Sequence, residues 1–449
     1  MVPQRGFLAT AAGFTAVVLL SACASYPERV ASAMSAFEQA QFAEAAKQFE
    51  TAAKRESAFL AGAETGLCWL AAGEWELAER SLERAVEAVR SMEDRGLIGA
   101  SALKNLAAGY LINDASRTYR GEGFERLAIH DALALTYLAR GDLDGLRVET
   151  KRAEIVLDTE ESLYESDYAA GGFAHFLSAT SYLLENDYDD ALIDFRRMVD
   201  RGAALEMAGP EALRLARRLG RQDLVRELET RFVSTELPNH PNPAWIVMVA
   251  GVGNAPVKYE TTISLPTPAG VVSFAAPQYT PRADASERLE LLAGSHRAVS
   301  AIVEDIDLVA RENLEDRLGA VALRSAARNA GRLALRKNFE DKEQYRAAAL
   351  VDLWTLFAER ADLRSVWTLP ANWQALRLPV DPGVHDIDLR STRGASGLIG
   401  RHELEPGETL FVIARTIGPS IYAHPIGGLR LDSDEPSSVQ ADPIATNQP

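Results

Sequence analysis

The chain is 449 residues long and 47% hydrophobic, and its 47 basic and 64 acidic residues give a formal net charge of −17. A chain of this size can bury large cores, and two or three domains are expected. The acidic balance argues against a nucleic-acid partner and against a purely electrostatic hold on anionic lipid.

The N-terminus has the three-part form of a secretory signal. Arg5 supplies one positive charge, residues 7–20 form an apolar run, and the sequence Leu-Ser-Ala-Cys ends at Cys23. This ending resembles the bacterial lipobox, in which the cysteine is lipidated and the peptide is cut ahead of it. We predict a signal peptide over residues 1–22 and a lipidated N-terminus and tether over residues 23–31. A plain secretion signal with a chance cysteine is the alternative.

The lipid on Cys23 is expected to hold the protein in a membrane. Each buried CH₂ contributes about 0.8 kcal/mol, so two or three acyl chains anchor a protein stably. Ala24 follows where an aspartate would favour inner-membrane retention, so we expect the periplasmic face of the outer membrane of a Gram-negative bacterium. No later apolar stretch reaches 18 residues, and once Cys23 is lipidated Cys68 has no cysteine left with which to form a disulfide.

Residues 32–235 contain a repeated pattern. FAEAAKQFETAAKR and WELAERSLERAVEA place aromatic and alanine residues at the same offsets, and the equivalent residues Ala45 and Ala78 are 33 positions apart. LDGLRVETKRAEIV and YDDALIDFRRMVDR repeat the pattern less regularly. The pattern resembles the tetratricopeptide repeat, an antiparallel helix pair of about 34 residues. Such a solenoid offers a concave surface, typically to protein or peptide partners.

The stretch YRGEGFERLAIH lies between two recognisable helix pairs. Its two glycines predict a break between helices, and it lacks the third glycine and the preceding strand of a dinucleotide-binding fingerprint. Glu122 and Glu125 fall near the first turn of the next helix, where negative charge complements the helix dipole. A charged joint between repeats can also serve as a docking edge, so Arg120, Glu122 and Glu125 are candidate interaction residues.

The composition changes after Leu237. PNHPNP reads as a linker, and continuous or alternating apolar runs predict strands over residues 244–252, 257–265 and 270–279. We expect an α+β fold, mostly α: a tetratricopeptide-like solenoid followed by a small antiparallel β-domain. The predicted segments are a first part of the β-domain (236–285), a helical insertion (286–365), a second part (366–430) and a disordered tail (431–449).

Three segments carry a resemblance that covers nearly the whole mature chain. They are YRGEGFERLAIHDALALTYLARGDLDGLRVETKRAE, GNAPVKYETTISLPTPAGVVSFAAPQY and ERADLRSVWTLPANWQALRLPVDPG, in this order. Together they resemble a family of uncharacterised bacterial lipoproteins with tetratricopeptide-like repeats. The resemblance implies this architecture and an association with cell-envelope assembly, and it implies no established activity.

Motifs for catalysis are missing from the sequence. The seven histidines are scattered without an HxxxH pair, and carboxylate pairs carry little information among 64 acidic residues. GVGNAP lacks the lysine and hydroxyl residue of a P-loop. We therefore expect no enzymatic activity, no cofactor and no metal site.

Two features of the second half remain as interaction candidates. Arginines at every fourth position form one stripe along a helix, which could meet lipid headgroups, lipopolysaccharide phosphates or an acidic partner. Pairing with the chain's own carboxylates is the favoured interpretation. The aromatic set Trp354, Phe357, Trp367 and Trp373 is expected to seat the last helix on the β-domain rather than to stack on sugar. The stripe consists of Arg324, Arg328, Arg332 and Arg336.

The sequence thus predicts a non-catalytic outer-membrane lipoprotein that acts as a protein-interaction scaffold in cell-envelope assembly or maintenance. Its expected partners are other envelope proteins, bound by the helical repeats, and the membrane, held through the lipid on Cys23. One alternative is a module that binds or hydrolyses peptidoglycan or another envelope glycan in a cleft between the repeats and the β-domain. A weaker alternative is an assembly factor of a secretion or surface structure.

Overall fold

The computed structural model describes residues 25–96, 118–163, 170–267, 270–281, 286–315 and 361–431. Cys23, the four arginines of the stripe, Trp354, Phe357 and the predicted tail lie outside the described residues. In the part that is described, no helix has the length and apolar character needed to cross a membrane.

The first half of the chain consists of antiparallel helix pairs, as the repeats predict. The first helix of each pair ends in a tight turn: Gly73, Gly141 and Asn186 have φ of 76°, 72° and 62°. Alanines of the repeat, including Ala45, Ala78 and Ala191, are fully buried where the helices of a pair approach. The helices are α1 (Tyr26–Glu38), α2 (Phe42–Ala53), α3 (Ala58–Ala72), α4 (Trp75–Gly96), α5 (Gly123–Ala139), α6 (Leu143–Leu163), α7 (Gly172–Leu184), α8 (Tyr188–Asp200), α9 (Leu205–Arg218) and α10 (Gln222–Glu229).

The second half forms two sheets. The order of strands in the large sheet is β5-β4-β8-β9-β11-β10-β1-β7-β6, with β12 paired to β9, and β2 and β3 form a separate hairpin. The strands are β1 (Ala244–Val252), β2 (Lys258–Thr267), β3 (Gly270–Tyr279), β4 (Leu289–Ala293), β5 (His296–Val299), β6 (Ala301–Glu304), β7 (Asn372–Val380), β8 (Gly383–Ser391), β9 (Ser396–Leu404), β10 (Thr409–Ile417), β11 (Ser420–Ile426) and β12 (Leu429–Arg430).

The large sheet is mixed, whereas the sequence predicted a small antiparallel domain. β10 lies parallel to β1, in register from Trp245 opposite Thr409 to Gly251 opposite Arg415. β7 pairs with the other edge of β1 in the antiparallel sense. The antiparallel prediction is therefore wrong for this pair, because β10 returns beside β1 only after a long excursion of the chain and can enter in either direction.

The sheet also curls back on itself at Ser300. β5 and β6 are one segment interrupted at this residue, and β5 pairs with β4 while β6 pairs with β7. The Ser300 amide donates to Leu289 O at 2.8 Å, and its hydroxyl donates to Gln374 Oε1 at 2.5 Å. This one segment therefore forms both ends of the strand order. The side chains enclosed by the sheet form an apolar core that includes Ile246, Met248, Leu291, Leu376 and Val412.

Part of the predicted helical insertion is instead β-structure. Residues 289–304 form β4, β5 and β6, and helix begins only at residue 306. Leu289 and Leu291 are fully buried inside the sheet, so pairing with neighbouring strands overrides the local helical character of this stretch. Residues 361–365, predicted to end the insertion, are not helical, and together with residues 366–371 they form a segment without helix or strand that leads into β7.

One face of the sheet packs on the helices. We define the inner face of the helical layer as the side formed by α1, α3, α5, α7 and α9. Nearly every residue of α3 from Phe59 to Ala71 is buried, because this helix lies between α4 and the sheet. Sheet residues that join the same core as the helices are Val247, Val249, Trp373, Ala375, Phe411 and Ile413. The chain's own sheet therefore covers the inner face of the helical layer.

Candidate functional site

The stretch from Tyr119 to Arg126 begins α5 at the boundary between helices and sheet. Gly121 has φ of 82°, and α5 starts at Gly123, so the predicted helix break is present. Glu122 precedes the helix in an extended conformation, and its amide donates to Glu125 Oε2 at 2.9 Å. The two glutamates therefore lie at the start of the helix, as the sequence predicted.

Glu125 binds the segment of residues 361–371 that leads into β7, which we call the extended segment. Its Oε1 accepts a hydrogen bond from the Val366 amide at 2.8 Å, and its Oε2 accepts one from the Tyr119 hydroxyl at 2.5 Å. Burial raises the pKa of Glu125 to about 7, although the positive charge of Lys258 acts in the opposite direction. Both oxygens of the Glu125 carboxyl group therefore accept hydrogen bonds from other residues of this chain.

Lys258 on β2 closes the same cluster from the hairpin. Its Nζ lies 2.7 Å from Glu122 Oε1 and donates to Arg364 O at 3.2 Å. Arg364 pairs with Asp362 at 2.7 Å, and its guanidinium lies 5.1 Å from the centre of the Tyr119 ring. We call this set of residues the junction cluster: Tyr119, Glu122, Glu125, Lys258, Asp362 and Arg364. The junction cluster joins α5, β2 and the extended segment. Its oppositely charged side chains contact one another and do not line an open cleft.

Close packing continues behind the junction cluster. Arg126 Nη2 lies 2.5 Å from Glu160 Oε1 on α6. A Cβ at position 123 would lie 2.1 Å from the Glu160 carboxyl, so a larger residue there would have to displace the Glu160 side chain. Arg120, the third candidate from this stretch, is half-buried.

Glu64 on α3 is a second carboxylate that grips the extended segment. It accepts hydrogen bonds from the Trp367 amide at 2.8 Å, the Thr368 amide at 3.0 Å and the Tyr26 hydroxyl at 2.8 Å. Burial raises the pKa of Glu64. Sequence reasoning missed this residue, although a single acidic side chain in the apolar run AFLAGAETGLCWLAA is a signal that could have found it.

A third buried carboxylate, Glu304 at the end of β6, caps α7. Its Oε2 accepts from the Gly171 amide at 2.9 Å and the Phe173 amide at 3.3 Å. Burial raises the pKa of Glu304 to about 7 despite these bonds. Asp131 on α5 is buried with Oδ1 lacking a hydrogen-bond partner, and burial together with the negative charge of Glu304 raises its pKa well above the ordinary value.

An ion pair joins α9 to β7. Arg377 Nε lies 3.2 Å from Glu211 Oε2, and both side chains are almost completely buried. Arg214 pairs with the same carboxylate at 2.9 Å. The guanidinium groups of Arg214 and Arg377 lie 5.0 Å and 4.8 Å from the centre of the Trp245 ring.

The tryptophans of the second half seat the sheet on the helices. Trp373 stacks on Phe173 of α7 with ring centres 4.8 Å apart, and Trp367 meets Tyr26 of α1 edge-on at 6.3 Å. The sequence predicted that these tryptophans pack the last helix of the insertion on the β-domain. For Trp367 and Trp373 this is wrong, because their aromatic partners lie on α1 and α7.

A small cavity lies in the seam between α3 and the sheet. Its volume is about 20 Å³, enough for a water molecule and far too small for a sugar ring. Arg415 borders it and donates to the carbonyl oxygens of Gly251, Gly253 and Thr416. Burial lowers the pKa of Arg415 to about 9. The cavity therefore offers no substrate cleft.

One group among the described residues could hold a metal ion. Glu154, His175 and Asp194 place their ligand atoms within 4.8 Å of one another. The sequence did not predict this group, because its members come from three different helices and show no spacing motif.

Comparison with known proteins identifies no family for this chain. No protein-family model matches the sequence, and no curated protein matches it. Among solved structures, the chain is similar to the crystal structure of PilW, described as a widely conserved type IV pilus biogenesis factor. The similarity has 15% sequence identity and a TM-score of 0.23, and covers 46% of this chain and 91% of that chain. A similarity at this TM-score carries no argument about function.

Proposed function

We propose that this protein is a non-catalytic, lipid-anchored scaffold of the outer membrane that binds other proteins during cell-envelope assembly or maintenance. One observation carries the proposal: the acidic side chains buried between helices and sheet are used to hold the fold together. Glu64 and Glu125 bind backbone amides of the extended segment, and Glu211 binds Arg377. A layer of helical repeats held to the sheet by these contacts suits the role of a platform.

The second helix of each pair carries the surface that remains open to a protein partner. On α6, Val148 and Ile155 are 48% and 65% exposed and lie seven residues apart, which places them on one side of the helix. Ile193 on the neighbouring outer helix α8 is 50% exposed. Arg197 of α8 pairs with Glu154 of α6 at 3.0 Å, so the two helices are adjacent. Three exposed apolar side chains on adjacent helices suit contact with a protein.

A photo-cross-linking experiment tests this surface. A photoreactive residue at Ile155 should capture one envelope protein in living cells, and Ile193→Asp in the same chain should abolish the capture. The matched control is a photoreactive residue at Leu398, which is 78% exposed on the sheet and should not capture the same protein. Equal capture at both positions, or capture that survives Ile193→Asp, would contradict a partner surface on α6 and α8.

Membrane attachment is tested separately. Cys23→Ser should move the protein from the membrane fraction to the soluble periplasmic fraction, because the acyl chains would have no attachment site. A variant that stays in membranes would disprove the anchor.

The glycan alternative needs a groove, and the cavity beside Arg415 in the seam between helices and sheet, at about 20 Å³, cannot hold a sugar ring. Purified protein should therefore neither bind isolated peptidoglycan sacculi nor release soluble fragments from them. Saturable binding or cleavage would replace the scaffold with a glycan-acting function.

A further inference from the structure

A histidine and two carboxylates from three consecutive helices converge at one point of the helical layer. Glu154 lies on α6, His175 on α7 and Asp194 on α8, and their ligand atoms lie within 4.8 Å of one another. The His175 and Asp194 side chains are 5% and 3% exposed. The position is therefore built into the packing between repeats rather than being a chance cluster of surface charges.

One ring nitrogen of His175 is buried without a hydrogen bond. Its Nδ1 is buried, lies 3.4 Å from Asp194 Oδ1 and has no hydrogen-bond partner. The preceding helix pair offers a comparison: His130 Nδ1 lies 2.8 Å from Glu149 Oε2, the distance of an ordinary hydrogen bond. The two histidines sit in similar places, and only one of them is satisfied by its carboxylate.

The distance between His175 and Asp194 fits a shared metal ion. A tetrahedral Zn²⁺ binds imidazole nitrogen and carboxylate oxygen at about 2.0–2.1 Å, which separates two of its ligand atoms by roughly 3.4 Å. The observed separation of Nδ1 and Oδ1 is 3.4 Å. Imidazole and carboxylate are also the ligand types that Zn²⁺ accepts in open sites with three protein ligands.

Cationic side chains already contact the carboxylates at this point, and Lys151 Nζ lies 2.9 Å from Glu154 Oε2. Arg197 Nη1 lies 3.0 Å from Glu154 Oε1 and 3.2 Å from Asp194 Oδ1, so its guanidinium already bridges the two carboxylates. The Arg197 side chain is 49% exposed and can move into solvent. A divalent ion would take the place of Arg197 between the two carboxylates and would enter from the surface as Arg197 leaves.

We propose that Glu154, His175 and Asp194 bind one divalent transition-metal ion, with Zn²⁺ as the ion whose coordination they fit. His175 and Asp194 supply the two buried ligands, and Glu154 supplies the third from the solvent side. A fourth position stays open for water. The ion links α6, α7 and α8 and so braces the third and fourth helix pairs against each other.

Calorimetric titration of Zn²⁺ into the full chain, purified in detergent and stripped with a chelator, tests the site. The wild type should bind one Zn²⁺ per chain in the presence of excess Mg²⁺. His175→Ala should weaken binding at least about tenfold. The matched control His130→Ala removes the satisfied histidine and should bind Zn²⁺ like the wild type. Arg197→Ala should bind Zn²⁺ more tightly, because the competing cation is gone.

Asp194→Asn, which preserves shape, provides a second variant if His175→Ala does not fold. Circular dichroism establishes that it folds, and its affinity for Zn²⁺ should also fall at least about tenfold. Co²⁺ as an alternative probe should give the visible absorption of a four- or five-coordinate ion in the wild type and lose it in Asp194→Asn. A wild type that binds no Zn²⁺, or equal binding by wild type and Asp194→Asn, would overturn the proposal.

Discussion

At the scale of single residues, buried acidic groups decide how the two halves of this protein meet. Glu64, Glu125 and Glu304 accept hydrogen bonds from backbone amides that belong to other elements. Glu211 is instead balanced by two arginines. A buried charge is costly unless it is paired or hydrogen-bonded, so each contact matters for stability.

The ion pair between α9 and β7 gives a first prediction. Arg377→Met should lower the free energy of unfolding by about 3 kcal/mol, because Glu211 would stay buried with one arginine fewer. Arg84→Met is the control, since Arg84 and Glu50 form a pair that is 53% and 33% exposed. It should cost at most about 1 kcal/mol. Urea denaturation of both variants measures the difference, and equal losses would contradict the importance of the buried pair.

Glu304 gives a prediction about pH. Its pKa is raised from 4.5 to about 7 in the folded protein, so the folded chain holds this proton more tightly than the unfolded chain. The contribution of Glu304 to stability is therefore full below pH 4.5 and is lost as the pH rises through about 7. Glu304→Gln, which cannot ionise, should gain stability relative to the wild type between pH 5 and pH 8, by up to roughly 3 kcal/mol.

Glu211→Gln provides the contrast for this pH experiment. Burial raises the pKa of Glu211, but Arg214 and Arg377 outweigh burial and leave the pKa below its ordinary value. The stabilising negative charge of Glu211 is thus lost only in acid. Glu211→Gln should therefore be less stable than the wild type by an amount that does not change between pH 5 and pH 8. Denaturation at several pH values compares the two variants. A constant difference for Glu304→Gln would show that its carboxyl is not protonated preferentially in the fold.

At the scale of elements, small residues set how closely helices approach. A Cβ at Gly62 of α3 would lie 2.6 Å from Ser81 O and 2.7 Å from Ala85 N of α4. A Cβ at Gly66, one turn later, would lie 2.6 Å from the Leu82 side chain. The backbones of α3 and α4 are therefore in near contact, and α3 can fit between α4 and the sheet.

Gly62→Ala tests this close approach. Alanine favours helix over glycine by about 1 kcal/mol, so an increase in stability is the expectation from helix propensity alone. We expect instead a loss of about 1–3 kcal/mol, because the added methyl group must push α4 away. Ser32→Ala on the exposed side of α1 is the control and should change stability by less than about 0.5 kcal/mol. A more stable Gly62→Ala variant would argue against the close contact.

At the scale of the whole molecule, helices and sheet share one core. Val247, Trp373 and Phe411 of the sheet belong to the same apolar cluster as residues of the helices. The inner face of the helical layer would expose a large apolar surface without the sheet. The repeats and the β-region are therefore expected to fold and unfold together.

Calorimetry of the full chain tests this coupling. The described helices and strands should melt in one transition whose calorimetric and van't Hoff enthalpies agree. The predicted repeat region alone, residues 32–235, should bind a hydrophobic dye and lack a cooperative melt, because its inner face would be uncovered. Two well-separated transitions in the full chain, or a cooperative melt of the fragment, would contradict a shared core.

The candidate site was only partly visible in the sequence. Glu122 and Glu125 were found because a helix break and a helix start are encoded by neighbouring residues. Glu64 was missed because its partner Trp367 lies 303 positions away. His175, Asp194 and Glu154 converge only when three helices stack, so no spacing motif exposes them.

The sequence by itself determined the helix pairs and the strands β1, β2 and β3. Apolar periodicity and turn residues such as Gly73 and Gly141 act within a few positions, so they can be read locally. Only the tertiary structure decided that β10 lies parallel to β1, that β5 and β6 close the sheet, and that this sheet covers the inner face of the helices. The physical reason is that these arrangements depend on burial and hydrogen bonding between different elements of the chain, and local patterns are compatible with more than one such pairing.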